Sequence, residues 1–147
     1  MAETKQHWKR LGEALLDCID MRVPMEPVSP AVLLSGDSDE GDAAEIVTIV
    51  YRAVEAQRHR YVDVRWSRNG RLPAAALARF WQLDPSCQAE IAATRGLVDL
   101  SSRAIHSIAR VARTIADIDQ QPVITAAHVA AAIQYRRYGD SNLFWPV

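Results

Sequence analysis

The chain has 147 residues, of which 49% are hydrophobic, enough to bury the core of one domain with an extension. It contains no run of eighteen apolar residues and no apolar segment after its N-terminal positive charges, which predicts neither a membrane span nor a secretory signal. A formal net charge of −1 argues against a protein that coats nucleic acid, and two cysteines, Cys18 and Cys87, are too few for a disulfide framework, so we expect a cytoplasmic protein.

The charge is unevenly distributed along the chain. Residues 1–45 carry a balance of −6, residues 46–82 a balance of +5, and the remainder is neutral. Either the acidic and basic segments pair with each other, or the basic segment forms a surface for nucleic acid.

The first forty residues show only short elements. A weak amphipathic pattern predicts a helix over residues 8–16, and alternation over residues 21–25 predicts a short strand, which Pro24 limits to an edge. Pro30 suits the start of a helical turn that runs to Leu34. Residues 35–42 are acidic but lack the ligand order of an EF-hand, which favours a solvated linker over a calcium site.

A long helix is predicted over residues 42–61, with Asp42 as its cap. Acidic residues at its start and basic residues at its end suit the helix dipole. Its inner face is predicted to comprise six residues: Ile46, Ile49, Val50, Ala53, Val54 and Gln57.

The next segment is a basic loop over residues 62–72, with a turn at Asn69-Gly70. Three arginines, Arg65, Arg68 and Arg71, surround Trp66. Such an arrangement can hold a phosphate backbone and stack a base. The alternative, which we favour, is that Trp66 packs on the core and the arginines are solvated or paired with acidic residues.

The second half of the chain predicts helices at about 73–81, 85–95, 102–118 and 126–136. Asp99 or Ser101 would cap the third of these helices, and Thr125 the fourth. Arg113 and Asp117 are predicted to form a weak surface pair. The tail with Phe144 and Trp145 either packs back on the bundle or binds a partner.

Three phrases of the sequence carry a family resemblance: RLGEALLDCIDMRVPMEP from Arg10, the helix ending in Gln57, Arg60 and Tyr61, and SSRAIHSIARVARTIADI followed by ITAAHVAAAIQYRR. Together they resemble the end of the ATPase core and the C-terminal helical lid of the ComM-type magnesium-chelatase-like AAA+ ATPases. The resemblance covers roughly residues 9–137. It implies a mainly α fold: a helical bundle like an AAA+ lid, preceded by a short strand and an irregular N-terminal segment.

The resemblance also implies roles for single residues. Arg103, in the SxRA phrase, is similar to the sensor-2 arginine that reaches the nucleotide phosphates from the lid. The arginine finger of the family corresponds to Cys18 here, and cysteine cannot stabilise phosphate charge. Cys18 has no base beside it in the sequence, so we expect a small buried or half-buried residue rather than a nucleophile. Another cationic position of the family, in the long helix, is Val54 here.

A P-loop is absent from this sequence, because neither of its two lysines, Lys5 and Lys9, follows a glycine. Four histidines show no metal spacing and are expected to be surface or cap residues, and we expect no metal site. Four parts are therefore predicted: 1–41, a remnant of the ATPase-core end with the acidic loop; 42–72, the long helix and basic loop; 73–137, the lid bundle; and 138–147, the tail.

The expected function is that of a non-catalytic interaction module. It would act with a P-loop-bearing AAA+ chain, which alone would bind ATP and magnesium, in the DNA-linked remodelling that the resemblance implies. The alternatives are a free-standing DNA-binding or structural domain that uses Arg65, Trp66, Arg68 and Arg71, and a degenerate remnant without activity.

Overall fold

The computed structural model describes residues 15, 17–23, 25, 27–35, 40–81, 83–95 and 100–137. These residues form a mainly helical structure, as expected: α1 (Pro30–Ser35), α2 (Glu40–Arg60), a 3-10 turn (Asn69–Arg71), α3 (Ala74–Phe80), α4 (Ser86–Arg95), α5 (Ser102–Ile118) and α6 (Ala126–Arg137). Among the described helices, none combines the length and the apolar character that a bilayer crossing needs. The helix predicted at 8–16, apart from Leu15, and the tail after Arg137 lie outside the described residues.

Helix boundaries in the second half of the chain follow local signals closely. The prediction that Asp42 caps the long helix is wrong, because α2 begins at Glu40 and Asp42 is its third residue. Ser101 caps α5, because its Oγ accepts a hydrogen bond from the Ala104 N–H at 3.0 Å. Thr125 precedes α6, and its N–H donates to Nδ1 of His128 at 3.0 Å, so a side chain from the first turn satisfies the cap residue. Asp84 accepts from the Ser86 N–H at 2.9 Å ahead of α4.

The short strand predicted over residues 21–25 does not form in the described part of that segment. Instead the Arg22 N–H donates to the carbonyl of Tyr135 at 2.8 Å, so this segment runs along the end of α6. Pro24 lies outside the described residues. A strand needs a neighbouring strand to complete its hydrogen bonds, whereas this segment finds its partner at a helix end, where carbonyls lack intrahelical partners.

The main core lies where α5 packs against α6. Small residues allow the close approach that the sequence indicated, since Ala112, Ala116 and Ala132 are fully buried. Ile124 joins α4 to this core: it forms an isolated parallel bridge with Leu83, and its carbonyl accepts from the Asp84 N–H at 2.9 Å and from the Cys87 thiol at 3.1 Å. The buried residues of this core are Cys87, Ile108, Val111, Ala112, Ala116, Ile124, Val129, Ala132 and Ile133.

A second, smaller core lies under the basic loop. It is formed by Tyr61, Leu72 and Leu77, and the rings of Phe80 and Trp66 pack against it. Tyr61 and Phe80 meet edge to face, with ring centroids 5.0 Å apart. This packing agrees with the interpretation that Trp66 folds back on the core.

The inner face predicted for α2 is correct for only half of the helix. Ala53 and Gln57 are buried, but Ile46 is 59% exposed and Val50 is 52% exposed. The periodicity indicated one continuous face, whereas the described structure covers only its C-terminal half, where α2 packs on α5.

Helix α5 ends at Ile118 through a left-handed turn at Gln120, with φ of 55°. The Gln121 N–H returns to the carbonyl of Ala116 at 2.7 Å, which closes the helix end in a Schellman-like manner. The same turn is held from inside by Arg113, whose guanidinium donates to the carbonyls of Gln121 and Pro122.

Candidate functional site

Arg103 and Cys18, the two positions that the sequence compared with phosphate-contacting arginines, lie side by side. Arg103 Nη1 is 2.7 Å from Cys18 Sγ, although the two residues are 85 positions apart in the chain. Both side chains are exposed, so the expectation that Cys18 is buried or half-buried is wrong. The exposure of Arg103 in the first turn of α5 leaves its charge accessible to a ligand or partner.

A junction of three polar side chains, Asp17, Ser101 and Arg136, fixes this arrangement. Ser101, the cap of α5, donates from Oγ to Asp17 Oδ2 at 2.9 Å. Arg136 Nη2 reaches Asp17 Oδ1 at 2.5 Å and the Asp17 carbonyl at 2.9 Å. The segment that carries Cys18 is therefore tied to the start of α5, two residues before Arg103.

Arg136 is the centre of this junction. It is only 4% exposed, and its Nη1 donates to the carbonyl of Ile19 at 2.7 Å and lies 3.3 Å from Ser107 Oγ. Neither Arg136 nor Asp17 is predicted to belong to a site. Their only signal in the sequence is that Asp17 lies in the family phrase RLGEALLDCIDMRVPMEP and Arg136 in the phrase ITAAHVAAAIQYRR, and the structure brings these two phrases into contact.

A second polar cluster joins α2 to α5 around Asp117. This carboxylate is fully buried and accepts from Arg60, from Arg113 Nε at 3.1 Å and from Asn69 Nδ2 at 2.8 Å. The Arg113–Asp117 pair is therefore not the weak surface pair that the spacing predicted. Arg113 points inward, because the carboxylate and the turn carbonyls supply acceptors that an exposed position would leave to water.

Asn69 links three elements within this cluster. It accepts from the Tyr61 hydroxyl at 2.8 Å, its N–H donates to Gln57 Oε1 at 3.0 Å, and its Nδ2 donates to Thr114 Oγ1 at 3.0 Å. Gln57, Arg60 and Tyr61 belong to one of the family phrases. Their contacts here are structural, since they hold the long helix and the basic loop against α5.

Burial and charge act in opposite directions on the ionisable groups of the cluster. Burial lowers the pKa of Arg113, with Asp117 opposing the shift only in part. Burial also lowers the pKa of Arg60, but the hydrogen bonds and charge of Asp117 outweigh it and hold that pKa above its usual value. Burial raises the pKa of Tyr61, which keeps its hydroxyl protonated as a donor to Asn69.

The four candidate nucleic-acid contacts of the basic loop are close in sequence but differ in exposure. Arg65 and Arg71 are exposed, and Arg68 is half-buried and donates to the Ser67 carbonyl at 2.8 Å. Trp66 is half-buried, and the Arg65 guanidinium lies 5.7 Å from its ring centroid. The Trp66 indole thus packs on the second core and lies against the Arg65 guanidinium, so little of the ring is left to stack on a base. The loop therefore suits phosphate contacts by its arginines better than base stacking.

The histidines agree in part with expectation. His59 is exposed, whereas His128 is buried and acts at the start of α6, with Nε2 3.3 Å from an Asp119 carboxylate oxygen. In the described residues, His, Cys, Asp and Glu side chains form no group of three that could hold a metal ion. His7 lies outside those residues.

Comparison with known proteins places this geometry in a family context. The family model described as "Magnesium chelatase, subunit ChlI C-terminal" matches residues 40–136, from the start of α2 almost to the end of α6. The chain is 31% identical over 134 residues to the uncharacterized protein YifB of Escherichia coli, and 28% identical over 132 residues to the competence protein ComM of Haemophilus influenzae.

These matches cover 91% and 89% of this chain but only 26% and 25% of the relatives, so it spans about a quarter of their length. The family model covers most of the described helices, and the matched residues include Arg103, Asn69 and Asp117. The chain therefore belongs to the family of the C-terminal domain of the magnesium chelatase subunit ChlI.

Proposed function

We propose that this chain is a lid-type interaction module of an AAA+ machine and that Arg103 contacts the nucleotide phosphates of a P-loop-bearing partner. The observation that carries the proposal is the exposed Arg103 guanidinium in the first turn of a 17-residue helix whose start is tied to the Asp17 segment. A planar, permanently charged fork can hold two phosphate oxygens. The positive end of the helix dipole also favours an anion there.

In this proposal the catalytic groups belong to the partner. ATP and magnesium bind to the P-loop-bearing chain, and this chain supplies one phosphate contact, since Cys18 replaces the finger arginine of the family. The Arg103 guanidinium would leave Cys18 for the phosphate, because hydrogen bonds to phosphate oxygens are stronger than those to a cysteine sulfur. The role would lie in cytoplasmic, DNA-linked remodelling, which the family resemblance supports.

Arg103→Ala is expected to reduce the ATPase rate of the complex with the P-loop-bearing partner by about 10- to 100-fold. A charge-assisted hydrogen bond is worth roughly 1.5–3 kcal/mol, and each 1.4 kcal/mol is tenfold in rate. Steady-state ATP hydrolysis is the measurement. Arg103→Lys should be intermediate, and Arg58→Ala, an exposed arginine on α2, should have no effect. An unchanged rate with Arg103→Ala would rule out the phosphate contact.

The second candidate function is DNA binding by the basic loop. The observation that favours it is the exposure of Arg65 and Arg71 in a segment, residues 62–72, whose one acidic residue is Asp63. Because Trp66 is packed against the second core, we propose backbone contacts by Arg65, Arg68 and Arg71 with little stacking from Trp66. Such binding would be insensitive to sequence.

Changing Arg65, Arg68 and Arg71 together to alanine is expected to weaken binding of single-stranded DNA and to reduce the slope of log K against log[salt] by about 2. Fluorescence anisotropy between 20 and 200 mM salt measures both quantities. Trp66→Leu is the matched control and should change the affinity less than threefold. If the wild-type chain shows no binding at 20 mM salt, DNA is not its ligand. Failure of both functions would leave the degenerate remnant.

A further inference from the structure

The N-terminal half of α2 carries an apolar surface that nothing in the described structure covers. Ile46, Val47, Val50 and Tyr51 are 59, 67, 52 and 63% exposed. We call these four residues the overhanging face. They lie at helical spacings of one, three and four residues, so they form one side of the helix.

The overhanging face continues the packing surface of the same helix. Ile46 and Val50 lie on the helical stripe that contains Ala53 and Gln57, which are only 5% and 6% exposed. Helix α2 is 21 residues long, about 30 Å at 1.5 Å per residue. Its C-terminal part packs on α5, where Arg60 donates to Asp117, and on the 3-10 turn, where Gln57 accepts from the Asn69 N–H. Its N-terminal part extends the same stripe into solvent.

Exposed apolar side chains are also concentrated in this part of the chain. Of the fifteen large apolar side chains that are exposed in the described residues, eleven fall between Leu15 and Tyr51. The other four, Val62, Ile118, Val123 and Tyr135, are scattered singly, which is ordinary for a protein surface. The four residues of the overhanging face are adjacent on one helix, and an exposed contiguous apolar patch marks an interaction surface.

We infer that the overhanging face binds the protein module that corresponds to the other three quarters of the relatives. That module is carried either on the same chain or on another chain. The family match includes α2, so the family shares this helix. The E. coli relative continues well beyond the matched part, since this chain covers only 26% of it. The covered half of the stripe packs on a folded helix, α5, so we take the partner of the bare half to be a folded apolar surface beside α5. This inference rests on the proposed function, because it identifies the surface by which the module meets the P-loop-bearing partner.

The test compares one pair of substitutions in two settings. Val47→Asp and Val50→Asp are introduced together into the chain alone, and into a chimaera in which this chain replaces the similar segment of E. coli YifB. In the chain alone, Tm should change by less than about 2 °C, because the side chains are already exposed. In the chimaera, Tm should fall by at least about 5 °C, because the same side chains would be buried.

Val62→Asp with Val123→Asp is the matched control, since both valines are exposed elsewhere and should give the same small change in both settings. A second measurement co-expresses the tagged chain with the remaining three quarters of YifB. The wild type should retain that protein, and the Val47/Val50 variant should not. Equal shifts in the two settings, or retention by both chains, would overturn the inference.

Two further outcomes separate this inference from the proposed function. If the wild-type chain alone sediments as a dimer that the Val47/Val50 variant dissociates, the occupant is a second copy and the inference is wrong. If Arg103→Ala lowers the ATPase rate of the chimaera while the Val47/Val50 variant retains its Tm, only the docking surface is wrong. If Arg103→Ala leaves that rate unchanged but the Tm shift is specific to the chimaera, the surface stands and the phosphate contact fails.

Discussion

Asp117→Ala is expected to lower the free energy of unfolding by about 3–5 kcal/mol, the usual cost of removing one partner from a buried ion pair. The carboxylate is fully buried between Arg60 and Arg113 and also accepts from Asn69. Without it, the buried Arg113 guanidinium keeps the turn carbonyls but loses its only carboxylate among the described contacts. Urea denaturation followed by circular dichroism measures the change.

Two controls make this prediction specific. Asp119→Ala removes a carboxylate from an exposed position two residues along, where the side chain is 53% exposed and contacts His128, and should cost less than about 1 kcal/mol. Arg113→Met combined with Asp117→Leu should recover part of the lost stability, because it also removes the buried guanidinium that Asp117→Ala leaves without a carboxylate. A loss below about 1 kcal/mol for Asp117→Ala would mean that Arg60 and Arg113 do not depend on this carboxylate.

Arg136→Met is expected to release the segment that carries Cys18 from the bundle. Arg136 holds that segment through the carbonyls of Asp17 and Ile19 and through the Asp17 carboxylate. Hydrogen bonds to a charged group are worth roughly 1.5–3 kcal/mol, so opening of this segment should become about 10- to 100-fold more frequent. Methionine keeps much of the side-chain volume and removes the charge.

Limited trypsin digestion measures this opening, because Arg22 is only 8% exposed and its N–H is bonded to the Tyr135 carbonyl. Cleavage after Arg22, followed by mass spectrometry, should accelerate by the same 10- to 100-fold. Arg58→Met, on the exposed side of α2, should leave that rate unchanged. Equal cleavage in wild type and Arg136→Met would show that Arg136 does not hold the segment, and that something else positions Cys18 beside Arg103.

Both polar clusters show why a sequence pattern misplaces buried arginines. The spacing of Arg113 and Asp117 is typical of exposed helix pairs, and nothing local distinguishes a buried pair from a solvated one. What decides the matter is Arg60, 57 positions away from Asp117, and Asn69, 48 positions away. In the same way, Arg136 has the sequence context of an ordinary C-terminal helix residue, and only its contact with Asp17, 119 positions away, makes it internal.

The candidate site was predicted in part. Arg103 was identified by resemblance, and its position in the first turn of α5 agrees with the predicted helix. Its role in phosphate binding stays a prediction, as do the roles of Arg65, Arg68 and Arg71. Its contact with Cys18 could not be predicted, because it joins two segments that lie 85 positions apart and share no periodic pattern.

The sequence by itself determined the helical elements, the caps of α4, α5 and α6, and the family. Ser101, Thr125 and Asp84 act within a few residues of themselves, and α3 to α6 begin and end within one residue of the predicted bounds. Tertiary structure alone decided which polar groups are buried and which apolar face is left bare. Burial depends on segments far apart in the chain, so Arg113 and Arg136 became internal while Ile46 and Val50, on a good amphipathic stripe, stayed exposed.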